Sequence, residues 1–406
     1  MRLIRWAAHA VRACIVLGGL GYATGVAVFL SLRLLPGGTQ YALHVGWVQF
    51  LDTFTLYLLL PGLALLPVGL LLRSRSLLAG ASIPLFALAF LYGELFIPPT
   101  WRPAAWSHPA GKPAAVLTVM TFNTGMGNTS PDRILRLVAQ ERPDMIALQE
   151  LTPVLSAGLA RALATDYPWQ VLAPEEDHSG VGVLSRYPIP VHETFRLGPS
   201  EHLAQHVVLD VDGTAVHLLN VHLGTPRLQR RAVPVVSPEA GRLIALLRRI
   251  PLVRAGATWL TAPAEVLDDS HDLRALVRRL EDGRIAPELG TSLRRAHIQA
   301  LLTRVRAIDA PLIVVGDFNM VDQNADYRLL TQYLHDSYRA AGYGFGHTFP
   351  RPGAFYFRSR RLVLPLSLVR IDYIFTSGHW RALGAHVNTH GGSDHLAVLA
   401  RLALYR

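Results

Sequence analysis

Residues of the types that bind metal ions and transfer protons recur directly after or before short apolar runs in the second part of the chain. These residues are Asn123, Glu150, His222, Asp317, Asn319, Asp372, Asp394 and His395. A single Asn, Glu or Asp at a strand end is typical of a turn or a cap, and a lone histidine there is typical of a packed or surface position. If the apolar runs are strands of one layered sheet structure, however, the ordered set converges on a single cleft.

The residue types in this set suit a reaction that uses a bound cation and a proton transfer. Carboxylate and amide oxygens favour Mg²⁺ or Mn²⁺, whereas thiolates or clustered histidines favour zinc. A hard cation neutralises charge that develops on a phosphodiester under attack. A histidine can take or give a proton near neutral pH, and a carboxylate partner fixes its tautomer.

The elements that must position these side chains are short strands. The expected strands cover residues 115–122, 144–148, 181–184, 311–315, 369–376 and 396–402, with a helix over 131–140. Asp212-Gly213 lies between the runs 207–211 and 215–221, which predicts a hairpin. Strands mixed with a few helices predict an α/β layered fold.

Several short segments, all in one order, carry a resemblance to a known family. They are Thr121-Phe122-Asn123, Pro143 to Glu150 (PDMIALQE), Gly182 to Pro188 (GVLSRYP), Asn220 to Leu223 (NVHL), Gly316 to Asn319 (GDFN), Arg370 to Ile374 (RIDYI) and Ser393-Asp394-His395. Together they resemble the endonuclease/exonuclease/phosphatase superfamily, which includes DNase I, and the resemblance covers about residues 115–404. It implies a four-layered α/β sandwich with the site at one end of the two sheets.

The resemblance also implies roles for the individual residues. Glu150 is similar to the principal carboxylate ligand of a Mg²⁺ or Mn²⁺ ion, and Asn123 and Asp394 are similar to its neighbours in the metal site. Asp317 and Asn319 resemble the pair that orients the attacking water and the phosphate. His395 resembles the catalytic histidine, with Asp372 orienting it. His222 resembles the second histidine, near the leaving or a non-bridging oxygen.

The first hundred residues differ from the rest because they are almost continuously apolar. Three runs, residues 13–32, 53–72 and 77–95, are of about the length that crosses a bilayer as a helix. They predict a membrane anchor over residues 1–97, followed by a linker over 98–114 and a catalytic domain over 115–406. A cleaved signal peptide is the alternative for the first run.

Arginine placement predicts the orientation of this anchor. Arg2, Arg5 and Arg12 precede the first run, and Arg73 and Arg75 lie between the second and third. Positive charge favours the cytoplasmic side, so three crossings would place the catalytic domain outside the cytoplasm. The protein is therefore expected in the cell membrane as a multi-pass protein.

The net charge of +10 favours anionic partners but does not choose among them. The stretch from His222 to Asp317 is longer than the family usually has, and residues 226–294 form the expected insertion. Gly241 to Val253 within it alternates apolar residues with arginines, which suits either an interfacial segment on lipid or a solvated helix. Arg294 and Arg295, at the end of the insertion, suit a solvated helix face better than phosphate guidance.

The sequence therefore predicts a membrane-anchored, metal-dependent phosphoester hydrolase, with phosphodiesters favoured over monoesters. Nucleic acid and phospholipid head groups are both reasonable substrates. The alternative from another class is a non-catalytic membrane receptor or scaffold on the same fold. Cys14, the one cysteine, excludes an intramolecular disulfide and CxxC motifs. The apolar runs carry no ionisable pair of the kind that a transporter needs at mid-membrane.

Overall fold

The computed structural model describes residues 2–34, 51–102, 111–128, 130–198, 202–224, 291–357 and 360–405. The chain forms two compact units. One contains Met1–Ala27, Asp52–Thr225 and Leu293–Arg406, and the other contains Val28–Leu51 and Pro226–Ser292. The sheets and the candidate site belong to the first unit. The predicted insertion lies almost wholly outside the described residues, as does the arginine-rich run from Gly241 to Val253.

The described residues of the N-terminal part are mainly helical. Its α-helices are α1 (Arg2–Leu34), α2 (Thr55–Leu59), α3 (Pro61–Leu71) and α4 (Arg75–Tyr92), followed by 3₁₀ turns at Gly93–Phe96 and Pro99–Trp101. Two stretches, Arg5–Leu34 and Arg75–Phe96, are long and apolar enough to cross a membrane. The predicted second crossing, residues 53–72, is not confirmed as a continuous span. Pro61 lacks an amide hydrogen, and the helix breaks there into α2 and α3.

The remaining elements are fourteen strands and five helices among the described residues. The strands are β1 (Ala115–Asn123), β2 (Met145–Gln149), β3 (Trp169–Ala173), β4 (Val181–Ser185), β5 (Val191–Arg196), β6 (Leu203–Val211), β7 (Thr214–His222), β8 (Leu312–Asp317), β9 (His335–Asp336), β10 (Gly353–Phe357), β11 (Arg360–Leu364), β12 (Asp372–Thr376), β13 (Trp380–Asn388) and β14 (Ala397–Leu404). The helices are α5 (Asp132–Glu141), α6 (Pro153–Ala162), α7 (Thr291–Ala307), α8 (Ala325–Leu330) and α9 (Ser337–Ala341).

Two six-stranded sheets carry the fold. The first has the order β13-β14-β1-β2-β4-β3 and the second β5-β6-β7-β8-β12-β9, while β10 and β11 form a separate hairpin. One parallel pair lies in each sheet, β1 with β2 and β7 with β8. The predicted hairpin at Asp212-Gly213 joins β6 to β7, with both residues at positive φ.

Apolar side chains form three buried clusters that define the layers. The central cluster joins the facing sides of the two sheets, with Val119 and Met145 from the first and Val216 and Ile313 from the second. A second cluster packs α7 and α8 on the outer side of the second sheet. The third packs α5 and α6 on the outer side of the first sheet. The order helix, sheet, sheet, helix is the predicted four-layered α/β sandwich.

Candidate active site

Strand direction explains why the predicted residues meet at one edge. In the parallel pairs, Asn123 is aligned with Gln149 and His222 with Asp317, so these ends lie together. β12 runs antiparallel to β8, and it contributes its first residue, Asp372, opposite Asp317. β14 runs antiparallel to β1, so the segment that precedes it, with His395, returns to the same edge.

A buried polar pair joins the two sheets beneath this edge. Gln149 of β2 donates from Nε2 to Oδ1 of Asn220 on β7 at 2.7 Å. Asn220 in turn donates to the carbonyl oxygens of Leu148 and Gly182 at 3.0 and 3.2 Å. Both side chains are fully buried, so these bonds are needed to compensate their desolvation. The pair sets the position of one sheet relative to the other.

Glu150 occupies an unusual backbone conformation, with φ of +52°. Non-glycine residues in this left-handed region carry strain that the surrounding structure must hold in place. Asn123 donates to Oε1 of Glu150 at 3.1 Å and to Oδ2 of Asp317 at 3.0 Å, linking carboxylates from both sheets. Burial favours a raised pKa for Glu150, but nearby His222 and the bonds from His178 and Asn123 lower it. Glu150 is therefore a carboxylate at neutral pH.

His395, Asp372 and Asp317 form the second part of the cluster. Nδ1 of His395 donates to Oδ2 of Asp372 at 2.9 Å, and Nε2 lies 3.7 Å from Oδ2 of Asp317. Burial lowers the pKa of His395, but the charges of Asp372 and Asp317 outweigh it and raise this pKa to about 10. Burial and the charge of Asp372 raise the pKa of Asp317. A proton shared between His395 and Asp317 therefore resides on the histidine.

His222, in contrast to His395, is neutral. Its Nδ1 donates to the carbonyl oxygen of His178 at 3.1 Å, which fixes the proton on that nitrogen. Burial, aided by His202, lowers the pKa of His222 to about 3, so the ring is neutral. Its Nε2 lone pair faces Oε1 of Glu150 at 3.9 Å and Oδ2 of Asp317 at 3.6 Å. Three electron-rich atoms thus point at one space, an arrangement that a cation or a donating water stabilises.

Asn319 is the second strained residue of the site, with φ of +48°. Its backbone N–H donates to Oδ1 of Asp317 at 2.9 Å, and its Nδ2 donates to the carbonyl oxygen of Leu223 at 2.7 Å. The buried guanidinium of Arg294 donates to the carbonyl oxygen of Asn319 at 2.9 Å and to Asp326 at 3.1 Å. Arg294 therefore fixes the Asn319 turn and is not part of the solvated helix face that the sequence suggested.

His178 is a member of the site that the sequence did not identify. Its Nδ1 lies 2.8 Å from Oε2 of Glu150, although 59% of its side chain is exposed. The residue lies in the loop before β4, two positions before Gly180, and no motif marks it. A Cβ at Gly180 would lie 2.1 Å from the carbonyl oxygen of Leu151, so this close approach brings the His178 loop toward Glu150.

The predicted site residues differ in how directly they contact one another. Asn123, Glu150, His222, Asp317, Asp372 and His395 are connected by the distances above, and Asn319 joins through its backbone. Asp394 is exposed, and its Oδ1 accepts a bond from Ser393 at 3.2 Å. Asn123 presents its amide nitrogen to the carboxylates while its oxygen accepts from Gly125. The amide would have to turn over to offer oxygen to a metal ion.

The donor set fits a divalent cation. One ligand-type atom from each of Asp317, Asp372 and His395 lies within 4.8 Å of the others, and because His395 is protonated the carboxylate oxygens are the ligands on offer. Glu150 adds two further oxygens beside Asp317 through Asn123. Carboxylates with few nitrogen donors suit Mg²⁺ or Mn²⁺, and the described residues place no thiolate at the site.

Comparison with known proteins decides the family. The model of the Endonuclease/Exonuclease/phosphatase family matches residues 120–395, more than half of the chain and the whole of the site. The chain belongs to the Endonuclease/Exonuclease/phosphatase family. This confirms the resemblance on the sequence motifs. Comparison with curated protein sequences finds no match.

Solved structures similar to this Endonuclease/Exonuclease/phosphatase protein come from bacteria and animals. A conserved protein of unknown function from Enterococcus faecalis shares 16% identity at a TM-score of 0.47, over 71% of this chain and 100% of its own. A family protein from Bacteroides thetaiotaomicron shares 16% at 0.46, over 73% and 100%. Truncated TDP2 from Caenorhabditis elegans shares 16% at 0.45, over 72% and 100%.

Proposed function

We propose that this family member is a divalent-metal-dependent phosphoester hydrolase, with phosphodiesters as its preferred substrates. One observation carries the proposal. His395 is bonded to Asp372 through Nδ1, and its Nε2 faces Asp317 across a space that Glu150 also borders. A protonated imidazole, a carboxylate with a raised pKa and a further carboxylate then surround one point, as hydrolysis of an anionic ester requires.

Glu150 would hold the metal ion, with Asn123 and Asp394 as its neighbours. A bound Mg²⁺ or Mn²⁺ supplies positive charge that offsets the charge developing on the phosphate oxygens. Glu150 suits this role because its lowered pKa leaves it charged, and Asn123 holds its carboxylate beside that of Asp317. That the ion is Mg²⁺ or Mn²⁺ is part of the same proposal.

The remaining residues act on water and phosphate. Asp317, with Asn319, orients the attacking water and accepts its proton, which the raised pKa of Asp317 favours. The water oxygen forms a bond to phosphorus as the bond to the leaving alkoxide oxygen breaks; the alkoxide takes a proton from solvent water, and Asp317 returns its proton to solvent. His395 donates from Nε2 to a phosphate oxygen, with Asp372 holding the ring. His222 is neutral, so its Nε2 accepts a hydrogen bond from water unless it first gains a proton.

For the substrate, we propose a phosphodiester at a membrane surface, with phospholipid head groups ahead of nucleic acid. Residues 351–361 hold four arginines and no aspartate, glutamate or lysine, whereas Arg339 and Arg370 are paired with carboxylates. Before and after this stretch, Tyr343 and Leu366 expose 61% and 54% of their surface. Positive charge next to exposed apolar side chains suits an anionic lipid surface. A groove for nucleic acid would instead need aromatic residues that stack on bases.

Membrane attachment is proposed through Arg5–Leu34 and Arg75–Phe96, the two helical stretches of sufficient length. Two crossings leave the catalytic domain on the side of the N-terminus, whereas a third crossing through α2 and α3 puts it outside the cytoplasm. Fusing a reporter that is active only outside the cytoplasm after Arg102, beside a cytoplasmic reporter at the same point, distinguishes these arrangements.

The activity is tested with the full chain in detergent and bis-p-nitrophenyl phosphate. We expect release of p-nitrophenol with Mg²⁺ or Mn²⁺, none with EDTA, and a loss of about 100-fold or more in Glu150→Gln and in His395→Gln. His192→Gln, at an exposed position on β5, is the matched control. No release from the metal-loaded wild-type chain on this diester, on DNA or on phospholipid vesicles would favour the scaffold alternative.

A further inference from the structure

We propose that the N-terminal helical segment is a positioning element of the catalytic centre and does more than tether it. The segment ending at Arg102 contacts residues 339–345 of the catalytic domain, and the adjoining residues 347–351 contact Asp372 and His395. We call the contact between residues 91–102 and residues 339–345 the joint. The inference rests on the proposed function insofar as it assigns His395 to the reaction.

One guanidinium provides most of the polar contacts in the joint. Arg102 donates from Nη1 to the carbonyl oxygen of Arg339 at 2.6 Å and from Nη2 to that of Gly342 at 2.7 Å. It also donates to the carbonyl oxygens of Leu95 and Ile97 at 3.2 and 2.9 Å. A rigid planar donor thus connects four carbonyl groups, two on each side, which a lysine cannot reproduce.

Backbone and ring contacts extend the joint. The N–H of Gly344 donates to the carbonyl oxygen of Leu95 at 2.8 Å. Phe345 lies edge-on to Phe96 at a centroid distance of 5.0 Å and to Tyr92 at 5.8 Å. Edge-to-face pairs of this kind are favourable and directional, so they fix the loop more closely than apolar burial alone.

The same chain segment then reaches the catalytic residues. The ring of Phe345 stacks on His347 at 5.1 Å. Thr348 follows three residues after Phe345. Its Oγ1 accepts hydrogen bonds from the backbone N–H groups of Ile371 and Asp372 at 3.1 and 3.4 Å. The ring of Phe349 lies 4.8 Å from that of His395.

Backbone bonds hold the segment on both sides of His395. The carbonyl oxygen of Thr348 accepts from Leu396 at 2.9 Å, and the N–H of Arg351 donates to the carbonyl oxygen of Asp394 at 2.6 Å. Residues 348–351 therefore hold the flanks of His395 as well as its ring. Displacement at the joint is transmitted to the histidine over only a few residues.

A chain of ion pairs provides a second connection. Arg339 lies 3.6 Å from Glu94 of the helical segment and 3.3 Å from Asp322. Arg370 lies 3.4 Å from Asp322 and 2.7 Å from Asp336. Asp322 follows Asn319 by three residues, and Arg370 precedes Asp372 by two. The segments that carry Asn319 and Asp372 are thus both connected to the N-terminal segment through partly or fully buried charges.

The experiment compares Arg102→Gln, Arg102→Lys and the wild type as full chains in detergent, with Arg381→Gln as an exposed arginine control. We expect a roughly 10- to 100-fold lower kcat in Arg102→Gln, with KM within about twofold of the wild type, because misplacement of a catalytic group acts on the reaction step. Arg102→Lys should recover part of this kcat, and Arg381→Gln should change nothing.

Hydrogen exchange separates this inference from the hydrolase assignment. In Arg102→Gln we expect faster exchange at Gly344 and also at Arg351 and Leu396, whose amide bonds flank His395, with β8 unchanged as a measure of folding. Faster exchange at Gly344 alone, with Leu396 and kcat unchanged, would overturn the positioning role. A wild-type chain without hydrolytic activity would count against the proposed function, and the exchange at Leu396 would still decide the inference.

If Arg102→Gln fails to fold, Phe345→Leu is the second variant. It keeps most of the apolar volume but removes the ring contacts with Phe96 and Tyr92. The expected result is the same pattern, a lower kcat with faster exchange at Leu396. Wild-type values for both in a folded Phe345→Leu chain would contradict the proposal.

Discussion

Nδ1 of His395 lies 2.9 Å from Oδ2 of Asp372, and both side chains are buried at the edge where the two sheets meet. Because an ionised carboxylate only accepts hydrogen bonds, this contact places a proton on Nδ1 and directs Nε2 toward Asp317. The contact with Asp372 also determines the pH at which the His395 ring loses its positive charge.

Asp372→Asn should therefore shift the alkaline limit of activity. Burial lowers the pKa of His395, and the neighbouring carboxylates raise it to about 10. Without the charge of Asp372, the pKa falls toward the ordinary value, so His395 loses its second proton at lower pH. We expect kcat to be about 100-fold lower or worse at its optimum, and to decline at a lower pH than in the wild type. An unchanged alkaline limit in the pH profile of kcat would argue against Asp372 as the partner of His395.

Removal of His178 should weaken metal binding without abolishing the reaction. Its Nδ1 contacts Oε2 of Glu150 at 2.8 Å, and groups that hydrogen-bond to metal ligands tune affinity. For His178→Ala we expect the Mn²⁺ concentration for half-maximal activity to rise roughly tenfold, with kcat at saturating Mn²⁺ within a few-fold of the wild type. The matched control is His192→Ala. Equal Mn²⁺ dependence in all three chains would show that His178 does not act through Glu150.

His222 should make the protein acid-sensitive. Burial lowers its pKa to about 3, below the value of about 6.5 for an unfolded histidine. The unfolded state therefore binds the proton first, and the stability present above pH 6.5 falls by about 1.4 kcal/mol per pH unit as pH decreases toward 3. In His222→Gln this contribution is absent, so urea unfolding should depend less steeply on pH over that window. Parallel pH curves for the two chains would contradict a neutral buried His222.

Gly316→Ala should strongly destabilise the fold. Gly316 has φ of +142°, and a Cβ there would lie 1.8 Å from the carbonyl oxygen of Val221 on the neighbouring strand. Relief would require the parallel strands β7 and β8 to separate beside Asp317, at a cost of about 4 kcal/mol or more. Gly378→Ala is the control, because a Cβ there has nothing within 4 Å. A thermal unfolding midpoint of Gly316→Ala close to that of Gly378→Ala would disprove the clash.

The sequence by itself determined the family, the α/β class and the order of the site residues. Each motif residue lies at or next to one end of an apolar strand. Such an end can be located in the sequence because the residue type changes there from apolar to polar. A hairpin turn also depends on adjacent residues, which is why Asp212-Gly213 predicted the turn between β6 and β7 correctly. The second membrane crossing stays a prediction, since a run of apolar residues does not show that Pro61 divides it between α2 and α3.

Tertiary structure decided which groups touch and which state each group has. Asn123 and Asp317 are 194 residues apart, and nothing in the sequence near either reveals their 3.0 Å contact. Both His222 and His395 are buried, which lowers the pKa of each, but the charges of Asp372 and Asp317 raise that of His395 again, so the two rings have opposite protonation states. His178 and Arg102 carry no motif because their partners are a distant carboxylate and backbone carbonyls. Their importance comes from close approach between separate segments, which only the packed chain creates.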